Sequence, residues 1–324
     1  MIGTGRQAGD DAMILTMMMG AALAGASLPP KPERAMLREV RTLYRGAGNR
    51  MWPGFAQVSL DLLLIGPKRE TLFCHGMVKG FIPAGRDPLT GCALQSRARQ
   101  MAVDLAASAD FFPGGQTIAI GYPKALEMTP AYWKATVLHE AFHLYQSHLP
   151  GYAQAVAALG LAQGSDGSWM LNHPFPYADP NVGAAFRTMG EAGLAFLHAK
   201  SPADRRLATK AYVVARDAAL ARVSEADRRY YEFQVGQEGV ARWTELTLAR
   251  QGDAAMRAHG RDYWTGLSTS LKAIRDQGLK MWKRNAFYVY GAMEAEMLEQ
   301  ASVDWRSEYR RRPFGMGEQL KRLD

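Results

Sequence analysis

The sequence predicts an α+β fold, mainly helical, with a small N-terminal β-sheet. Two textures in the chain carry this expectation. Residues 56–75 and 116–121 hold alternating or short, blocked apolar residues bounded by Gly and Pro, which is strand patterning. From Pro130 onward, long stretches rich in Ala, Leu, Arg and Glu repeat at helical spacing. With 324 residues, 48% hydrophobic and 22% charged, the chain has enough apolar surface for one large domain or two smaller ones. Disordered and fibrous classes are excluded.

In chain order, the first segment is 1–26. Met13-Ile14-Leu15-Thr16-Met17-Met18-Met19 is apolar, and Ala22-Leu23-Ala24 and Ala24-Gly25-Ala26 both fit a small-x-small cleavage site. The run is too short to span a bilayer comfortably and resembles a secretory signal peptide. Asp10 and Asp11 outnumber Arg6 ahead of it, so a buried or frayed N-terminal helix stays open as the alternative. The expectation is an exported protein, periplasmic or secreted, with no stable membrane span. In that setting Cys74 and Cys92, the only two cysteines, could close one disulfide; two unrelated buried thiols are the other reading.

Residues 27–128 are expected to form an N-terminal α/β part. Pro32 to Tyr44 has helical spacing, with Met36, Leu37, Val40 and Leu43 apolar, and Trp52-Pro53-Gly54 breaks it. Residues 56–75, turning at Pro67-Lys68, read as a β-hairpin. A Gly/Pro-rich stretch follows from Gly80 to Gly91, and Gln116 to Gly121 is a further short strand. Residues 129–324 are expected to be a helical catalytic part, with helices over 131–149, 183–199, 202–223, 225–251, 253–280 and 285–299 and a long loop over 164–182. The net charge of +8, with clusters at Arg310–Arg312 and Lys321-Arg322, reads as a solvated basic surface. No aromatic-interleaved basic motif is present, so nucleic acid is not an expected partner. The sequence leaves the oligomeric state open.

The chemistry concentrates in Thr136-Val137-Leu138-His139-Glu140-Ala141-Phe142-His143-Leu144-Tyr145. Residues four apart on a helix share a face, so both imidazoles can reach one ion, and neutral imidazole suits zinc. Glu140 then stands beside the metal, where it can take a proton from a metal-bound water. The apolar flanks Val137, Leu138, Ala141, Phe142 and Leu144 predict a buried helix. The metzincin pattern would need Gly at 146 and His at 149; the chain has Gln146 and Leu149, with His148 one residue out of register.

A third ligand is therefore sought on a second helix, where Gly236-Gln237-Glu238-Gly239-Val240-Ala241-Arg242-Trp243-Thr244-Glu245 stands. This segment resembles the Asn-Glu-Gly-x-Ala-x-Tyr-x-Glu stretch of the membrane alanyl aminopeptidase family and related gluzincins. The resemblance implies a zincin-like catalytic body with Glu238 as the third zinc ligand. Glycines 236 and 239 would let this helix approach the zinc helix closely. Glu245, seven residues on, could orient a ligating histidine. Asn285-Ala286-Phe287-Tyr288-Val289-Tyr290-Gly291-Ala292 is similar to the family's Tyr-x-x-Gly-Ala segment, which implies that Tyr288, with Tyr290 as fallback, hydrogen-bonds the oxyanion of the tetrahedral intermediate.

The likeness covers short islands in the second half of the chain, and it departs from the family in places. Gln237 replaces Asn, Trp243 replaces Tyr, and the interval from His143 to Glu238 is far longer. The family's Gly-x-Met-Glu-Asn anchor for a free amino terminus has no counterpart upstream; Gly291-Ala292-Met293-Glu294 lies downstream. Aminopeptidase specificity is thus not carried over. The expected activity is zinc-dependent hydrolysis of peptide bonds in a peptide or protein substrate, with strand 116–121 as a possible edge for holding it. Two rivals stay open: a zinc amidase acting on non-peptide bonds, and a non-catalytic envelope protein using the helical body as a scaffold.

Overall fold

The structure, a computed structural model, describes residues 28–162 and 167–323, except for the side chains of 262–265. The expected leader at 1–26 and residues 164–166 of the expected long loop lie outside the described residues. The fold is α+β: one six-stranded mixed sheet, N-terminal, and a mainly helical remainder. Two compact units form. The first comprises the described residues up to Thr42 together with Ser59–Pro130; the second comprises Leu43–Val58 with the residues from Ala131 on.

The first unit begins with α1 (Lys31–Leu43), which buries Leu37 and Val40. Strands β1 (Leu62–Ile65) and β2 (Arg69–Phe73) form the hairpin the sequence predicts, with Leu62 opposite Phe73 and Ile65 opposite Glu70. All four residues of β1 are buried, as expected of a strand covered on both faces. β3 (Ile82–Arg86), β4 (Ala93–Ala98), β5 (Ala106–Phe112) and β6 (Gly115–Gly121) complete the order β3-β4-β2-β1-β6-β5. Only the β1–β6 pairing is parallel. The Gly80–Gly91 stretch therefore contains a strand after all. β3 is one edge of the sheet and largely exposed, which is where a ladder tolerates Pro83 and Gly85. β5 is the other edge, so the strand at 116–121, paired on both sides, is not the edge the sequence suggests.

Leu63, Ile65, Leu72, Val78, Phe81, Phe112 and Ala119 form this unit's core. Cys74 and Cys92 are joined in a disulfide. Two buried acids are fully served. Glu70 accepts from Arg97 Nε at 2.5 Å and from the amides of Gln100 and Met101, both at 3.1 Å. Asp87 accepts from Arg34 at 2.5 Å and from Thr90 and the amide of Leu89.

In the second unit, the segment 43–58 that the sequence assigns to the N-terminal part instead packs with the helices. Its Trp52 has no exposed surface. The indole is surrounded by Phe142, Tyr145, Trp243, Trp305 and Tyr309, with ring centroids 5.0–6.4 Å away, and donates to Thr244 Oγ1 at 3.1 Å. Such an aromatic cluster is worth more than its area alone.

The helices are α2 (Pro130–Ser147), α3 (Tyr152–Ala158), α4 (Trp169–Asn172), α5 (Pro180–His198), α6 (Pro202–Leu220), α7 (Glu225–Gln234), α8 (Val240–Ala249), α9 (Ala254–Gln277), α10 (Leu279–Trp282), α11 (Asn285–Gln300), α12 (Trp305–Arg311) and α13 (Met316–Lys321). Asp179, Ser201 and Ser224 cap α5, α6 and α7, the last in a capping box with Asp227. Among the described residues no helix is long and apolar enough to cross a membrane.

Candidate metal centre

Helix α2 is apolar nearly all round, and from Trp133 to Gln146 all but Thr136 are buried. A helix of that kind belongs in a core, so its two histidines must find partners there. They face each other, with His143 Nε2 3.0 Å from His139 Nε2. Glu238 Oε2 closes the triangle at 3.3 Å from each Nε2. Among the described residues, this is the one group of His, Cys, Asp and Glu whose ligand atoms converge in this way, all within 4.8 Å of one another.

Glu238 reaches this point from a backbone irregularity. The single helix expected over 225–251 is interrupted between α7 and α8 by a π-turn, Val235–Gly239. Such turns insert a residue into the helical count and recur at functional sites. The glycines have another role than expected, since they do not face α2. A Cβ on Gly239 would stand 2.4 Å from Gly291 Cα on α11, and one on Gly236 would stand 2.2 Å from the Pro313 carbonyl oxygen. The glycines admit α11 and the 313 segment, while α2 is reached through the Gly236 carbonyl.

Each histidine is held through its other nitrogen. His139 Nδ1 lies 2.9 Å from Glu245 Oε2, close but without an aligned hydrogen bond. Glu245 is 1% exposed and also accepts from Arg242 at 2.5 Å. His143 Nδ1 donates to Gln146 Oε1 at 2.6 Å. The amide orientation of Gln146 follows from its other contacts. Its Nε2 faces the carbonyls of Gly236 at 3.2 Å and Gln237 at 2.9 Å, and the Tyr309 hydroxyl at 2.7 Å. Since that hydroxyl itself donates to the Gly236 carbonyl, only an NH₂ group fits there. His143 is thereby protonated on Nδ1, leaving Nε2 to point its lone pair at the centre. In the sequence, Gln146 stands out only as a mismatch to the metzincin pattern. Its sole signal was a polar residue on a helix that is otherwise buried.

The electrostatics describe a site that favours positive charge. At His139, burial opposes the imidazolium, but the Glu238 and Glu245 carboxylates outweigh it and push the pKa up to about 10. His143 is raised in the same sense, burial again opposing and Glu238 prevailing. Burial would raise Glu238, yet the two imidazoles hold it well below the usual carboxylate range. The cluster could hold a metal ion. In a tetrahedral zinc site with bonds of about 2.0–2.1 Å, ligand atoms lie about 3.3–3.4 Å apart, and the observed separations of 3.0, 3.3 and 3.3 Å are close to this.

Glu140, 8% exposed, makes no hydrogen bond or ion pair to a described residue. Tyr288 stacks on His139, with rings 6.2 Å apart and 6° from parallel, and its hydroxyl accepts from Arg284 Nη1 at 2.8 Å. Burial drives its pKa well above the usual phenol value. Tyr290 is elsewhere: fully buried, it donates to the Phe186 carbonyl at 2.9 Å and serves the core. His148 bonds its own helix at the Leu144 carbonyl, and Leu149 is buried. The structure thus brings His139, Glu140, His143, Glu238, Glu245 and Tyr288 together. Comparison with protein-family models, curated proteins and solved structures finds no match to the chain.

Proposed function

We propose that the chain is a zinc-dependent hydrolase of the gluzincin type that cleaves peptide bonds. One observation carries the reading: two histidines one turn apart and a glutamate from another helix converge at near-tetrahedral ligand separations. His139, His143 and Glu238 would hold the ion. Glu245 and Gln146 orient the two imidazoles through their Nδ1 atoms. The two-nitrogen, one-carboxylate donor set suits zinc and leaves a fourth position for water or substrate. Bound there, zinc supplies a Lewis acid and lowers the pKa of that water to about 7.

The rest of the chemistry belongs to side chains. Glu140 takes one proton from the attacking water as its oxygen bonds the carbonyl carbon. It returns that proton to the leaving nitrogen as the C–N bond breaks. Its carboxylate is suited to this because no hydrogen bond or ion pair to a described residue occupies it. Tyr288 donates a hydrogen bond to the oxygen on which negative charge develops and keeps its proton. Arg284 donates to the Tyr288 oxygen, and the phenol's own proton is directed at Glu238, so it can turn to the substrate once that carboxylate holds an ion. The Cys74–Cys92 disulfide is compatible with export, so the proposal includes a periplasmic or secreted location.

Metal analysis after zinc reconstitution tests the reading, with about one ion per chain expected. His139→Ala and His143→Ala should lose the ion. Glu140→Gln should keep it and lose hydrolysis. A wild-type protein that takes up no metal sinks the proposal, and a peptide-library digest without cleavage by the loaded protein sinks its peptidase part.

A further inference from the structure

Arg284 stands immediately before α11, beside the metal-ligand cluster, with 28% of its side chain exposed. A guanidinium carries five N–H donors and is always charged. One donor is engaged by the Tyr288 oxygen at 2.8 Å. The guanidinium carbon lies 5.6 Å from the Tyr288 ring centroid. The nearest acid is Glu238, whose Oε1 is 4.0 Å away, at the outer limit of an ion pair. Among the described residues the remaining N–H groups have no acceptor. The phenols of Tyr177 and Tyr230, hydrogen-bonded to each other, lie within electrostatic range of the same guanidinium and are kept neutral by burial.

The cation is thus half-buried among neutral hydroxyls, and its one acidic neighbour is a proposed metal ligand. Once Glu238 gives its charge to an ion, the guanidinium has no anion of its own. Burying a charge without a partner is costly, and a planar guanidinium is matched best by a planar, two-oxygen acceptor. A bound ligand can supply that acceptor.

We propose that Arg284 reads a carboxylate on the peptide substrate, so that the enzyme prefers peptides bearing an acidic group next to the bond it cuts. The inference rests on the metallopeptidase reading. Two groups share this chemistry: the free C-terminal carboxylate of a short peptide and the side chain of Asp or Glu. Tyr288 links the subsite to the reacting centre, because one phenol touches both Arg284 and the ring of His139. Arg284 acts as a specificity-determining residue and not as a proton carrier.

The test uses full-length Glu140→Gln protein, reconstituted with zinc so that it binds peptide without cutting it. Fluorescence anisotropy compares three N-terminally labelled peptides: a neutral tripeptide acid, its C-terminal amide, and the amide with Glu as the last residue. The acid should bind about 10–100-fold more tightly than the neutral amide, the range for one charge-assisted contact. Binding of the Glu amide at the level of the acid assigns the preference to any nearby carboxylate; binding at the level of the neutral amide assigns it to the chain terminus. Adding Arg284→Gln should reduce the preference to about one, while Arg284→Lys should restore part of it, since lysine keeps the charge and loses the fork. In protein with Glu140 intact, Arg284→Gln should raise KM for the acid far more than for the neutral amide. If zinc is bound and the neutral amide binds as tightly as both acids, or if Arg284→Gln leaves a preference intact, this inference falls and the metallopeptidase reading stands. Failure to bind zinc at all overturns both.

Discussion

Replacing Gln146 with methionine tests how the second histidine is held. Methionine is close to glutamine in length and volume, so the fully buried site stays filled and no large cavity confuses the result. What is lost is the acceptor for His143 Nδ1–H and the donor to the Gln237 carbonyl. The Gly236 carbonyl keeps its bond from Tyr309. Two buried groups are therefore left without partners, at about 1–3 kcal/mol each, or about 2–6 kcal/mol in all. Total stabilities of about 5–15 kcal/mol mean that the variant should still fold, with a lower Tm. Freed from Gln146, the imidazole can rotate or change tautomer, and zinc affinity should fall by about 10–100-fold, equivalent to about 1.4–2.8 kcal/mol. The Gln237 side-chain Nε2 lies 3.0 Å from the same ring nitrogen, and by turning its amide over Gln237 can present Oε1 and take over part of the task. Gln146→Met alone should therefore sit at the low end of the range, and adding Gln237→Leu should move it to the high end. Chelator competition measures the affinity, and circular dichroism with thermal melting checks the fold. A folded variant that competes for zinc as well as the wild type would refute the claim that Gln146 sets the tautomer of His143.

The carboxylates should rank by their distance from the centre: Glu238→Ala should abolish stable zinc binding, whereas Glu245→Ala should weaken it by about 10–100-fold, both read by the same competition. Tyr288→Phe should lower kcat by roughly 10²–10³ with zinc content and KM little changed, the signature of a bond that strengthens only in the transition state. Tyr290→Phe should leave kcat alone and instead lower stability by about 1 kcal/mol through its lost bond to the Phe186 carbonyl; equal, small effects on kcat from both would remove Tyr288 from the mechanism. In metal-free protein the pKa of His139, about 10, lies above the ordinary 6.5, so its ion pairs stabilise the fold fully below pH 6.5 and that contribution disappears as pH rises through 10. Zinc must displace the same proton, so its apparent affinity should climb with pH over that window, and calorimetry in two buffers should detect proton release; a pH-independent affinity would contradict the raised pKa. In the first unit, Asp87 is held below its ordinary 3.8 because hydrogen bonds from Thr90 and Arg34 outweigh burial, so its contribution is present above that value and lost on acidification below it. Asp87→Asn should flatten that part of the acid-unfolding curve.

Local regularities were legible in the sequence. Apolar spacing marked α1, the β1–β2 hairpin, β6 and the long helices, because each pattern repeats with the period of its own element. The strands β3, β4 and β5 carried no such signal: Ile82-Pro83-Ala84-Gly85-Arg86 is an exposed edge, and Gln95, Ser96 and Arg97 find their partners across the sheet. Likewise, a Trp-Pro-Gly that reads locally as a helix breaker proves to be the centre of an aromatic core drawn from three later helices.

The same division runs through the site. His139, Glu140 and His143 lie within one and a half turns of one helix, so their common position follows from helical geometry alone. Glu238 was reachable only by resemblance, and its placement depends on a π-turn that a uniform helical count does not contain. Gln146 could not be assigned from sequence, since its meaning comes from two carbonyls about ninety positions away and a hydroxyl on α12. Arg284 follows the same rule, being an ordinary basic residue until α11 packs glycine against glycine and sets it beside Glu238. The chain's own periodicity determined which side chains share a helix face. Which faces meet, and hence which polar atoms lose water and must be satisfied by one another, was decided only by the close packing of distant helices.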